Sequence, residues 1–148
     1  MNTILIAVDG SAPSDSALRT GLEIAEAEHA AVVLVHVAPS TDLLPVSLFG
    51  TTASVEHDPT ADDVAALTAA AGIADAHGVH ATTRLLSGDV ADEIVACADS
   101  IRADLIVIGS RGLGALGRMI LGSVSRAVLH ETRVPVLVVR EVEAPVTA

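Results

Sequence analysis

Two short runs carry the residues best suited to chemistry: Gly109-Ser110-Arg111-Gly112 and, after nine further residues, Gly122-Ser123-Val124-Ser125. The first follows an apolar run, Ala103 to Ile108, and the second ends where a helical pattern begins. Glycine lets a backbone approach a ligand closely and adopt positive φ. A helix start offers unpaired N–H groups and the positive end of a dipole. Together these make a cradle for an anion, and phosphate is the anion such cradles usually hold. The pattern points to nucleotide binding. Gly114 and Gly117 lie in the same stretch, so plain flexibility is the competing account.

Other chemistries are poorly supported. There is no lysine, which excludes a Walker A loop and Schiff-base catalysis. A bound phosphate must then be held by backbone N–H groups, hydroxyls, a metal or arginine. Arg111 is the obvious cation; Arg118 could close over a ligand or be a solvated loop charge, and Arg126 reads as a surface ion-pairing residue. The six histidines are scattered, and the His77/His80 pair, split by Gly78, matches no zinc spacing. No Gly-x-Ser-x-Gly is present. The single cysteine, Cys97, reads as a small core residue.

Composition narrows the partners. A length of 148 residues suits one domain, and just over half of them are apolar, enough for a sizeable core. The net charge of −11 argues against nucleic-acid backbones and anionic membranes. Phe49 is the only aromatic residue, so no platform exists for stacking bases. No apolar run reaches the roughly 18–20 residues of a membrane span. No basic segment precedes the first apolar run, so no signal peptide is expected and the cytoplasm is the expected compartment. An acidic, lysine-free surface fits a high-salt cytoplasm, and equally a bias in genome composition.

The elements that must position these residues alternate. Strands are expected at Thr3–Val8, Ala31–Val37, Val79–Leu86, Leu105–Ile108 and Val134–Val139. The third should have one more exposed face, and Pro135 sits where a missing N–H is best tolerated. Helices are expected from Ser11 or Ser14 through Leu18, Leu22 and Ala25; from Asp58 or Thr60 to about His77, stopped by Gly78; from Gly88-Asp89 with Val90, Ile94, Ala98 and Ile101 on one face; and from about Ser123 to Glu131. Residues from Ala38 to about Pro59 form a long connection. Its apolar cluster Leu43, Leu44, Val46, Leu48 and Phe49 suggests a flexible lid at about 39–59 or a packing segment. The βαβαβαβαβ order predicts an α/β fold, a single-domain Rossmann-like five-stranded parallel sheet with helices on both faces. Ligands in such folds bind at carboxyl ends of strands, where strand order reverses. Asp9 and Gly109 would share that crevice if strands one and four are neighbours.

The glycine signature resembles the nucleotide-binding signature of the universal stress protein family. Three further segments are similar to that family: Ile4-Leu5-Ile6-Ala7-Val8-Asp9-Gly10-Ser11, Gly88-Asp89-Val90-Ala91-Asp92-Glu93-Ile94 and Arg133-Val134-Pro135-Val136-Leu137-Val138-Val139. The resemblance runs from residue 2 to about 140, leaving a short tail at 141–148. It implies an adenine-nucleotide alpha-hydrolase-like fold, the ATP-binding subgroup with ATP, ADP or AMP as ligand and Mg2+ or Mn2+ accompanying it, and a homodimer paired through Val136 to Val139. It also implies a site. Ile108, Gly109, Arg111 and Gly112 would line the ribose and phosphate side. Gly122, Ser123, Val124 and Ser125 would offer N–H groups and hydroxyls to the phosphates. Ala7, Val8 and Asp9 would form the opposite wall, and the Val37 backbone would meet the adenine edge. Asp9 has three readings: a hydrogen-bond acceptor for the nucleotide, a contact to a phosphate-bound divalent cation, or a residue that shapes the turn.

The function this implies is nucleotide-responsive regulation with slow or no ATP hydrolysis, no residue being placed as a base for water. The alternatives are a slow metal-dependent ATPase or nucleotide-dependent transferase using Asp9, and a dimeric protein-interaction scaffold with a vestigial crevice. The downstream partner is not specified.

Overall fold

The computed structural model describes residues 1–39, 58–111 and 121–141. The apolar cluster Leu43 to Phe49, and Gly112, Gly114, Gly117 and Arg118, lie outside the described residues. In chain order the elements are β1 (Thr3–Ala7), α1 (Ala12–Glu28), β2 (Ala31–Pro39), α2 (Ala61–Ala76), β3 (Ala81–Gly88), α3 (Val90–Ser100), β4 (Leu105–Gly109), α4 (Ser123–Glu131) and β5 (Val136–Val139). The five strands form one sheet in the order β3-β2-β1-β4-β5, and every pairing is parallel. The fold is the expected α/β one.

Successive residues of the central strands feed two separate cores, which is why those strands read as continuously apolar. Ile4, Ile6 and Val8 join Leu34 under α1 and α2, packed on Leu18, Leu22, Leu67 and Ala74. Leu5, Val33 and Val35 face the other way, under α3 and α4, against Ile94, Cys97, Ala98 and Val128. Helices therefore cover both faces. Cys97 is buried in the second core, and burial pushes its thiol pKa up. Such a thiol is a packing group, in line with its sequence reading.

Local chemistry sets the element ends. Ser11 caps α1, its hydroxyl accepting the Ser14 N–H, so of the two candidate caps Ser11 takes the position. Thr60, not Asp58, caps α2 in a capping box with Asp63. Asp89 caps α3, and Gly88 precedes it at φ +135° as the last residue of β3.

Six strand limits differ from expectation by one or two residues. β3 begins at Ala81 rather than Val79, because Val79 donates its N–H back to Ala74 and Gly78 donates to Asp75, with Gly78 at φ +74°. These two hydrogen bonds close the end of α2. β2 continues past Val37 to Pro39, paired in register with Gly88 of β3. β5 starts after Pro135, whose carbonyl still accepts the Ile106 N–H at 2.9 Å. Thr82, Thr83 and Arg84 are exposed on β3, an outer strand of the sheet, as its composition suggested.

Leu34 is fully buried in the central strand β2. Leu34→Ala should cost about 2–5 kcal/mol of unfolding free energy, because a cavity there has rigid neighbours. Val138→Ala, half-buried on the outer strand β5, should cost clearly less. Urea titration of both variants checks the contrast.

Candidate functional site

β1 pairs with β2 on one side and β4 on the other, so strand order reverses at β1 and β4. A crevice of about 650 Å³ opens at the carboxyl ends of these strands. It gathers eleven of the sequence candidates: Ala7, Val8, Asp9, Val37, Ile108, Gly109, Arg111, Gly122, Ser123, Val124 and Ser125. The twelfth, Gly112, lies outside the described residues. Ser14, His36, Pro39, Asp62, Asp63 and Val90 also line the crevice, and sequence reasoning did not anticipate them.

The β1–α1 turn is held from within. Gly10 adopts φ +82°, a conformation that glycine takes without strain. The Asp9 N–H donates to Ser14 Oγ at 2.9 Å, and Asp9 Oδ1 accepts the Ser11 N–H at 2.8 Å. Of the three readings of Asp9, the turn-shaping one is therefore seen directly. The end of β4 presses on the same turn. A Cβ on Gly109 would lie 2.8 Å from the Pro13 carbonyl carbon and 2.9 Å from the Ser14 nitrogen. Packing against α1 requires glycine here, in addition to any demand from a ligand.

The start of α4 is built differently from the other helix starts. Its N-cap is Gly122, with no side-chain capping bond. The N–H groups of Ser123, Val124 and Ser125 thus lack both intrahelical acceptors and a cap. The Ser110 carbonyl fixes this end in place: it accepts the Gly122 N–H at 2.7 Å and the Ser125 hydroxyl at 3.0 Å. Ser125 is buried, and its hydroxyl lies within 3.2 Å of the Gly122 carbonyl as well. Its proton is thus directed to carbonyls within the protein. Its N–H remains at the helix mouth with those of Ser123 and Val124. Beside the mouth stands Arg111, and apolar walls come from Val37, Val90, Ile94 and Ile108.

His36 is a polar residue inside an apolar strand, and it has two partners. Its Nδ1 lies 2.7 Å from the Val8 carbonyl and its Nε2 lies 2.7 Å from Asp63 Oδ1. The hydrogen bond from His36, then that from the Thr60 N–H, holds the Asp63 carboxyl below its ordinary pKa. A histidine in the run Val32 to Ala38 was the available signal, since a buried ring must find partners. Sequence spacing could not name Asp63, 27 residues away. Among the described residues no three His, Cys, Asp or Glu side chains are grouped to hold a metal ion.

The sequence model of the universal stress protein family matches residues 1–140. A universal stress protein of Mycolicibacterium smegmatis is 35% identical over 140 residues, covering 92% of this chain. The chain spans 47% of that longer relative. Among solved structures, a universal stress protein in complex with cAMP aligns with a TM-score of 0.71 at 27% identity, covering 95% of this chain and 98% of that one. The universal stress protein from Archaeoglobus fulgidus in complex with dAMP aligns with a TM-score of 0.66 at 26% identity, covering 94% and 97%. Among the described residues no helix is long and apolar enough to cross a membrane.

The crowding at Gly109 makes a test of site geometry. Gly109→Ala should lose about 1–3 kcal/mol in urea unfolding, since backbone must move to admit the methyl group. Gly72→Ala, whose added carbon would meet nothing within 4 Å, should be neutral or slightly stabilising.

Proposed function

The chain belongs to the universal stress protein family, and from that premise we propose that its crevice binds an adenine nucleotide whose occupancy, rather than turnover, is the output. One observation carries this reading: the start of α4, which has no side-chain cap and whose first three N–H groups have no partner among the described residues, opens into the crevice at the strand-order reversal. Helix starts of this kind bind phosphate without a lysine. Phosphates would rest on Ser123, Val124 and Ser125, with Arg111 beside them. The base would lie between aliphatic side chains, its edge toward the Val37 backbone. Gly112 belongs to the same proposed set. The cAMP and dAMP named for two similar structures support the adenine class. ATP, with Mg2+ or Mn2+ held by its own phosphates, is the finer form of the proposal.

Regulation by binding fits the side chains that line the crevice. Asp9 Oδ1 is engaged with the Ser11 N–H, and both ring nitrogens of His36 face partners. On this proposal these groups serve the frame rather than an attacking water, and hydrolysis would be slow or absent. We extend the proposal to a homodimer. Val136 to Val139 form an apolar, half-buried strand whose outer edge, unpaired among the described residues, suits a second copy.

Calorimetry with ATP, ADP, AMP and cAMP tests the site. Binding is expected, and Gly122→Val should weaken it by at least about tenfold, or ~1.4 kcal/mol, because the side chain would fill the phosphate seat. Gly72→Ala should bind normally. No binding by folded protein with magnesium present would refute the reading. Phosphate release well above background, abolished by Asp9→Asn, would establish the ATPase alternative instead.

A further inference from the structure

We propose that His36 is a positioning residue for this crevice: only its doubly protonated ring can hold the first turn of α2 against the ends of β1 and β2, so nucleotide affinity falls when the ring releases a proton. The strut rests on geometry alone; the link to affinity rests on the nucleotide reading above.

The proton count follows from the partners. His36 is 6% exposed, with Val8 O and Asp63 Oδ1 each 2.7 Å from a ring nitrogen. A carbonyl oxygen only accepts, so Nδ1 must carry a proton. Asp63 also receives the Thr60 N–H at 2.8 Å and the Thr60 hydroxyl at 2.9 Å, both on Oδ2. So many donors keep a carboxylate ionised, and an ionised carboxylate only accepts. Nε2 must then donate too. A neutral imidazole has one N–H and can make only one of the two bonds. When the ring gives its second proton to water, a nitrogen lone pair is left facing an oxygen in a buried site, and one contact opens.

That contact bears on the ligand site. Val8 and Asp9 form one wall of the crevice, and Asp62, Asp63 and Ala66 of α2 form part of another. Apolar packing of Val8 against Leu67 also joins these walls, and the ring adds a hydrogen-bonded tie at the crevice end of α2. The charged groups sharing its crevice are Asp9, Asp62 and Asp63, with Arg111 after β4. On β3, Arg84 lies on the opposite sheet face, in register with Val35. On α1, Asp15 and Arg19 are exposed to solvent.

The sign has two sides. Asp63 has a lowered folded pKa, so its share of stability is present above the unfolded Asp value and is lost as pH falls through the folded one. For His36, loss of a ring proton breaks one bond. Asp63→Asn should reverse that dependence. The Asn amide can donate to Nε2 of a neutral ring while its oxygen keeps the Thr60 N–H. Both contacts then survive with one ring proton, and a second would clash with the amide.

The test uses the full chain. Ring-nitrogen NMR follows the His36 proton while hydrogen exchange reports protection of the Asp63 and Val64 amides. Calorimetry reads affinity for cAMP, whose phosphodiester keeps one charge across the range. In wild type, protection and affinity should fall together as the ring loses its proton, affinity by about fivefold or more. In Asp63→Asn both should instead be highest with the neutral ring. Protection that ignores the ring in wild type, or an Asp63→Asn response of the same sign as wild type, would overturn the strut. A strut that behaves as expected with pH-independent affinity would overturn the link to the ligand. Failure of both cAMP and ADP to bind, with the strut as expected, would overturn the nucleotide reading and support the role of His36 in the fold.

Discussion

The Ser110 carbonyl is the acceptor on which the candidate site depends. It takes the Gly122 N–H and the Ser125 hydroxyl, while the Ser110 N–H donates to Val139. One residue at the end of β4 thus ties the sheet to the start of α4. Backbone bonds of this kind hold the helix mouth without placing a side chain in it. A side-chain cap such as those on α1, α2 and α3 would have satisfied the N–H groups and closed the seat. Gly122 at the N-cap leaves the three amides open, and Ser125 supplies the anchoring that the missing cap would have given.

The crevice must do its work in a chain of net charge −11 with no lysine. Three carboxylates line it, Asp9, Asp62 and Asp63, against the Arg111 guanidinium. Two of the three are not bare charges. Asp9 accepts a turn N–H, and Asp63 accepts from Thr60 and His36. Hydrogen bonds from fixed donors absorb part of the negative potential that would otherwise repel a phosphate. Asp9 and Asp63 are, in this sense, parts of the frame. The same bonds that shape the β1–α1 turn and cap α2 make the site less hostile to an anion.

The strand order of residue types made the fold readable in advance, because burial on both faces forces near-continuous apolar runs. Four helices and five parallel strands follow from that and from the alternation of elements, while the choice of Ser11 over Ser14 and Thr60 over Asp58 as caps came from the structure. The ends that shifted did so through backbone bonds that composition does not reveal. Val79 looks like a strand residue and is one by type, yet its N–H closes α2. Val134 looks the same, but pairing starts after Pro135. The glycine signature was readable as a cradle, and ten neighbours besides Gly109 do meet around the crevice. The reason for Gly109 was not readable, because it lies in the backbone of α1, nearly a hundred residues earlier in the chain.

His36 marks the sharper boundary of what residue types reveal. Within Val32 to Ala38 an apolar-run reading treats the histidine as an interruption, since periodicity counts which face a residue takes and not what it bonds to. The structure gives the ring one acceptor from β1 and one from α2, elements that share no sequence pattern with β2. Neither bond requires a conserved spacing; each requires only that the fold deliver an oxygen to the right place. A buried ring with two acceptors and a single neutral-state proton is over-demanded, and the excess demand makes its protonation a structural variable. The fold that buries His36 has therefore also joined a proton equilibrium to the position of the crevice wall.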